Sequence, residues 1–456
     1  MLEAINPATG ETIARYPAMT SPELRAALRR ADKAFSSWRR TAFAERATVV
    51  RQAGVLLRQR ATEYGRLMAL EMGKPVAEGR AEAIKCATAC DYYADGAEAM
   101  LADEVIATDA VRSFVHYEPL GAVLAVMPWN FPFWQVLRFA APTLMAGNVA
   151  LLKHAANVPG CALALEQLFR DAGAPAGVFQ TLLIDHTQLR AAIRNRAVKA
   201  VTLTGSTAAG RIVARQAGER LKKTVLELGG SDPYLILEDA DLELAARTCV
   251  AARLINSGQS CIAAKRFIVV DAVRDEFERL FVEGMRAVRM GDPLDESNTI
   301  GPQARADLRD ALHDQVERSI AAGATLLLGG TVPAGPGAYY PPTVLTNVKP
   351  GMPAFDEELF GPVAAIIPVP NERAAIKAAN NSVFGLGASV FTQDLARGER
   401  IAATQIEAGS CFVNANVRSD ARLPFGGIKE SGYGRELSRL GIHEFVNAKT
   451  VWVGGG

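Results

Sequence analysis

The chain has 456 residues, 49% hydrophobic and 22% charged, with Lys+Arg 50 against Asp+Glu 49 and a formal charge of +1. That is ordinary globular usage with room for about three domains, and it excludes a disordered chain, a collagen repeat and a coiled coil. A near-neutral balance supplies no whole-molecule field for nucleic acid or an anionic membrane, so neither is an expected partner.

The first residues lack the basic and apolar regions of a signal peptide, and a cytoplasmic location is expected. Ser21 as N-cap with Pro22 at the first position opens a helix. Leu24, Leu28, Ala31, Phe35 and Trp38 then repeat at helical spacing. A second helical region covers 45–72, and a third runs from the Gly73-Lys74-Pro75 turn to about 100. Residues 119–137 carry no charge and approach the length of a membrane span. Pro128, Asn130 and Pro132 break any such helix, so a buried strand turning into a helix is expected.

From Gly121 short apolar runs alternate with helical segments. Strands are expected at 121–127, 148–152, 178–184, 200–204 and 224–228, with helices at 133–146, 161–172, 187–195 and 207–218. This alternation predicts a mostly parallel sheet covered on both faces. A second α/β series follows: strands 234–237, 267–270 and 325–328, helices 241–256, 273–288 and 306–322, then βα units over 363–381 and 388–410. A helix and a strand at 450–453 end the chain.

Several residues carry candidate chemistry. Strand 200–204 runs into a GxxxxG turn, Gly205 to Gly210, at a helix start. It reads either as a phosphate cradle or as a plain glycine turn. Lys153 leaves a buried strand and reads as a ribose or phosphate contact or as an ordinary strand-ending lysine. Of six cysteines (86, 90, 161, 249, 261, 411) none forms a CxxC pair, which suits reduced thiols and no metal site. Cys261 follows Gly258-Gln259-Ser260 rather than sitting in an apolar run, so a reactive thiol competes with a structural one. Glu227 lies inside an apolar strand, either as a base with a raised pKa or as an outward-facing acid. Asn130 lies among aromatics and prolines, as an oxyanion donor or a loop tie.

These motifs occur in a familiar order. Pro128-Trp129-Asn130-Phe131-Pro132, Leu152-Lys153, Thr204-Gly205-Ser206, Glu227-Leu228-Gly229-Gly230 and Gly258-Gln259-Ser260-Cys261 resemble those of aldehyde dehydrogenases. So do Glu358-Leu359-Phe360-Gly361-Pro362, Pro424-Phe425-Gly426-Gly427 and Ser431-Gly432-Tyr433-Gly434-Arg435-Glu436-Leu437. Leu152-Lys153-His154-Ala155 and the Leu228–Pro233 segment are similar to the short-form succinate-semialdehyde dehydrogenases. The resemblance spans essentially the whole chain. It implies an α/β fold of two doubly wound parallel-sheet domains plus a small β oligomerisation element. The cofactor-binding domain would comprise 1–110 and 127–226, and the catalytic domain 227–413. The oligomerisation element would comprise 111–126 and 434–456, with 414–433 as a return segment.

The resemblance also implies roles. Cys261 would be the nucleophile, Asn130 the oxyanion donor and Glu227 the base that activates water. Trp129, Lys153, Gly205, Ser206, Glu358 and Phe360 would contact the dinucleotide, and Glu436 would lie on a proton path. Ala156 stands where many NAD-preferring members carry an acid, so NADP is the expected preference, with NAD as the alternative. Trp134, Arg138, Ser260 and Ser419 would contact substrate, Arg138 as a carboxylate clamp. A second clamp arginine of some members is Ile255 here. Succinic semialdehyde is the expected substrate, with neutral or sugar-derived aldehydes as the alternative. A non-catalytic protein keeping the fold would be expected to lose Cys261, Glu227 or Asn130. A homodimer or homotetramer is expected.

Overall fold

The computed structural model describes residues 1–455. Runs such as Ala122–Met127 carry no polar side chain, so both of their faces must be covered. They form the middle of a six-stranded sheet in the order Gly432–Tyr433, Lys223–Glu227, Val198–Thr204, Ala122–Met127, Val149–His154, Phe179–Thr181. Every neighbour pairs in parallel except the Gly432–Tyr433 edge, which runs antiparallel to Lys223–Glu227. Helices cover it on both sides, as expected for βα crossovers.

A second sheet has seven strands in the order Thr325–Leu328, Thr343–Thr346, Val363–Val369, Ala264–Val270, Asp232–Ile236, Gly387–Phe391, Ser410–Val413. Its two faces feed two separate cores. Leu235, Ile268, Ile367 and Val390 pack on one side, and Tyr234, Phe267, Ile366 and Phe391 on the other. This is the period-2 alternation of a strand buried on both faces.

A third, antiparallel sheet joins Val446–Val453 to Arg112–Pro119 along its full length, with Glu104–Val105 beside it. The expected β element is therefore narrower than 111–126 and 434–456. Ala122–Met127 belongs to the six-stranded sheet, and the chain changes sheets at Gly121, whose φ of +141° disfavours other residues. Ser438–His443 is a helix against Trp134–Met145 and Val76–Met100 rather than part of the arm.

Local details also differ from expectation. Thr20, not Ser21, caps the Ser21–Trp38 helix, because Glu23 returns a bond to the Thr20 N–H and completes a capping box. The region 45–72 is two helices, Phe43–Gln59 and Ala61–Met72. An N-terminal hairpin, Leu2–Ile5 with Thr12–Tyr16, was not expected from the sequence. The helix before Cys261 stops at Leu254 rather than 256. No helix among the described residues is long and apolar enough to cross a membrane.

Candidate active site

The turn before Cys261 is strained and held from all sides. Asn256, Ser257 and Gly258 take φ of 54°, 55° and 76°, three left-handed residues in succession. Glu78 accepts the Asn256 N–H at 2.8 Å, and Ser257 Oγ accepts the Gly301 N–H at 3.0 Å. A Cβ on Gly258 would lie 2.3 Å from the Gly361 backbone, so only glycine fits. Beyond the turn, Lys265 Nζ donates to the carbonyls of Ser260, Cys261 and Ala263 at 2.7–3.2 Å. These ties present the Cys261 thiol to the junction of two cavities.

The larger cavity, about 260 Å³, brings together Trp129, Asn130, Gly205, Ser206, Cys261, Glu358 and Phe360. Asn130 Nδ2 donates to Gln259 O at 3.1 Å, and Asn256 Nδ2 donates to Asn130 O at 2.7 Å. The amide has two N–H groups, so one bond fixes its orientation and leaves the second free. The Cys261 backbone N–H likewise has no acceptor among the described residues. Glu358 Oε1 accepts the Gly230 N–H at 3.0 Å and lies 3.6 Å from Lys265 Nζ. Trp129 meets Phe360 edge-to-face at 5.8 Å. Ser206 caps the Thr207–Gly218 helix through the Ala209 N–H, so this helix start faces the cavity with spare N–H groups. Lys153 and Ala156 lie outside both cavity linings, with Lys153 at the end of the Val149–His154 strand. Lys153 is largely buried, which lowers its pKa, and no ion pair or hydrogen bond holds its ammonium among the described residues.

The smaller cavity, about 70 Å³, is lined by Cys261, Ser260, Trp134, Arg138, Ser419 and Lys85, with Phe131, Ile255 and Phe425 among its apolar walls. Arg138 reaches it with part of its guanidinium already partnered. It pairs with Glu436, donates to Thr204 Oγ at 3.2 Å and lies 4.8 Å from the Phe425 ring centre. Arg138, expected from the sequence as a carboxylate clamp, thus reaches the cavity together with a counter-ion, Glu436. Lys85 was missed. Its Nζ donates to Ser419 Oγ at 2.7 Å and sits 4.2 Å from the Trp134 ring centre. Burial and the Arg138 charge lower its pKa to about 8.

Glu227 lies outside both cavity linings. It ends its strand opposite Thr204, packs against Gly426 and has no hydrogen bond to either carboxylate oxygen among the described residues. Burial and the negative charge of Glu436 push it well above the usual carboxylate range, against the pull of Arg138 and Arg435. Burial pushes the Cys261 thiol up to about 12, opposed by the Arg138 and Lys265 charges.

One helix underpins much of this. Val76–Met100 supplies Glu78 to the strained turn, Glu82 to the helix start at Trp134, and Lys85 to the small cavity. Glu82 Oε1 accepts the N–H groups of both Phe133 and Trp134 at 2.9 Å, and its other oxygen pairs with buried Lys74. Residues 78, 82 and 85 share one helical face. The signal for them was charge placed inside a stripe of small buried residues, Gly79, Ala83, Cys86 and Cys90.

Two mostly parallel α/β sheets, with a cysteine and an amide on one cavity, suit a thiol-dependent enzyme, and the family follows from the chain's relatives. The model of the aldehyde dehydrogenase family matches residues 1–451. A probable succinate-semialdehyde dehydrogenase [NADP(+)] of Synechocystis sp. is 52% identical over 458 residues, covering 99% of each chain. The succinate semialdehyde dehydrogenase [NAD(P)+] Sad of Escherichia coli is 50% identical, covering 98% of this chain and 97% of that protein. A crystal structure of succinic semialdehyde dehydrogenase from Streptococcus pyogenes in complex with NADP+ superposes with a TM-score of 0.98 at 38% identity, covering 100% of both chains. The chain belongs to the aldehyde dehydrogenase family.

Proposed function

We propose that this enzyme oxidises succinic semialdehyde to succinate with a preference for NADP. The observation that carries the reading is Cys261 shared between a cavity at the Gly205–Ser206 helix start and a small cationic one. NADP, when bound, supplies the acceptor for the aldehyde hydride. Lys153, a buried ammonium without a counter-ion, suits a 2′-phosphate, and Ala156 leaves no carboxylate there to repel one. Gly205, Ser206 and the helix start behind them suit the pyrophosphate, and Glu358 suits a ribose hydroxyl.

Cys261 gives its thiol proton through water to ionised Glu227, which passes it toward Glu436; its sulfur adds to the aldehyde carbon, and the carbonyl oxygen gains the electron pair. The second Asn130 N–H and the Cys261 N–H stabilise that oxyanion. Loss of hydride restores the carbonyl and leaves a thioester on Cys261. Glu227 takes a proton from the attacking water, the carbon–sulfur bond breaks and the acid departs. Glu436, beside Glu227 and paired to Arg138, suits the onward path of that proton.

The exposed apolar residues of the small antiparallel sheet support a homodimer or homotetramer as the working form. A free thiol nucleophile suits a reducing compartment such as the cytoplasm. The test is steady-state kinetics of an aldehyde panel against both cofactors. Succinic semialdehyde with NADP should give the highest kcat/KM. A higher value for a neutral or sugar-derived aldehyde, or for NAD, would overturn the corresponding half of the reading.

A further inference from the structure

We propose that Lys85 anchors the remote carboxylate of the substrate, a specificity residue that the Cys261 and Arg138 motifs do not reveal. This rests on the reading above that the substrate is a short aldehyde acid. Two cations reach the small cavity, buried Arg138 and partly buried Lys85. Arg138 already has a counter-ion in Glu436 and a bond to Thr204, so its charge is largely balanced within the protein. Lys85 has no carboxylate within ion-pair distance among the described residues, and its one hydrogen bond goes to a neutral hydroxyl, Ser419 Oγ, at 2.7 Å.

A largely desolvated ammonium held only by a hydroxyl and a ring face is an incomplete site. An incoming carboxylate completes it, accepting from Nζ and from the Ser419 hydroxyl. The rest of the lining agrees. Phe131, Trp134, Ile255 and Phe425 offer apolar walls to a methylene chain, and Cys261 is on the same lining to meet the aldehyde end. About 70 Å³ favours a short chain. The Val76–Met100 helix that carries Lys85 is pinned by Glu78 and Glu82 to the Cys261 turn and to Trp134. The distance between the two ends of the substrate is thereby set by one rigid element.

The test uses the full-length enzyme with NADP and compares succinic semialdehyde with butanal, a neutral aldehyde of the same chain length. Lys85→Met should lower kcat/KM for succinic semialdehyde by about tenfold to a hundredfold, mainly through KM, as expected for losing a charged hydrogen-bond partner. The fall for butanal should be several-fold smaller. Succinate inhibition should weaken in parallel, and Lys85→Arg should recover most of the KM. Thermal melts of both variants report whether the fold is kept. Equal losses for the two aldehydes in a folded variant, or succinate inhibition undiminished, would overturn the assignment. A wild-type enzyme that prefers butanal overturns the substrate reading instead. The Lys85 assignment is then decided by succinate inhibition, which needs no turnover of the aldehyde acid.

Discussion

Cys261 sits where burial works against its own reactivity. Its thiol is pushed up to about 12, so the resting site holds a neutral sulfur. Attack requires the proton to leave as the oxyanion forms, which places the weight of catalysis on the donors that receive that charge. Asn130 is preoriented for this by its bond to Gln259 O. Asn130→Ala should cut kcat by about 10²–10³ with a smaller change in KM, the usual cost of one oxyanion donor. A change confined to KM, in steady-state assays with saturating NADP, would count against the role. At this scale the sequence was informative where a residue is odd in its own neighbourhood. Cys261 among Gly, Gln and Ser, Asn130 between aromatics and prolines, and Glu227 in an apolar strand all stood out. The counter-ion of Arg138 was not legible, because Glu436 lies 298 positions on and no local pattern links them. Lys85 was overlooked because a lysine on a long helix reads as solvated unless the small residues Gly79, Ala83, Cys86 and Cys90 around it are read as a buried stripe.

Elements turn those residues into a site. The parallel strands were legible because their apolar runs and the helices between them keep short, regular spacing. The end of the helix at Leu254 was not, because the left-handed turn beyond it is imposed by Glu78, Gly301 and Gly361 from distant segments. The Val149–His154 strand contributes a further tie. His154 Nε2 donates to Pro132 O at 2.9 Å and Nδ1 accepts the Ala155 N–H at 2.9 Å, which fixes a neutral ring under the Asn130 loop. Burial lowers its pKa from 6.5 to about 4. The unfolded chain therefore binds the proton first as pH falls. The stability from neutral His154 is complete above about pH 6.5 and is lost progressively toward pH 4, about 3 kcal/mol in all. Denaturant melts of wild type and His154→Gln across pH 7 to 4 should show a steeper decline for the wild type; parallel declines would exclude His154 as the cause.

At the scale of the whole molecule, the three-stranded antiparallel sheet stands out as unfinished. Val105, Val111, Trp452 and Val453 are exposed by 69, 73, 52 and 44%, and a sheet with exposed edges and apolar side chains is a template for association. Val111→Glu combined with Trp452→Glu should shift the mass in light scattering from a dimer or tetramer toward a monomer. An unaltered mass would mean that another surface holds the subunits. The sequence had already separated this element from the two α/β units, but placed its boundary at 126 because one apolar run hides the passage from arm to sheet at Gly121.

The antiparallel edge Gly432–Tyr433 has a consequence for the order in which the enzyme comes into being. Glu227 lies on the strand that this edge covers, Gly426 packs on its carboxylate, and Arg138 receives its counter-ion from Glu436. All three contributions come from residues 426–436, which are synthesised long after Asn130 and Cys261. A nascent chain can already expose Cys261 and Asn130, yet it lacks the surroundings that tune its base. Synthesis thus leaves the setting of Glu227 incomplete until these later residues have joined the fold.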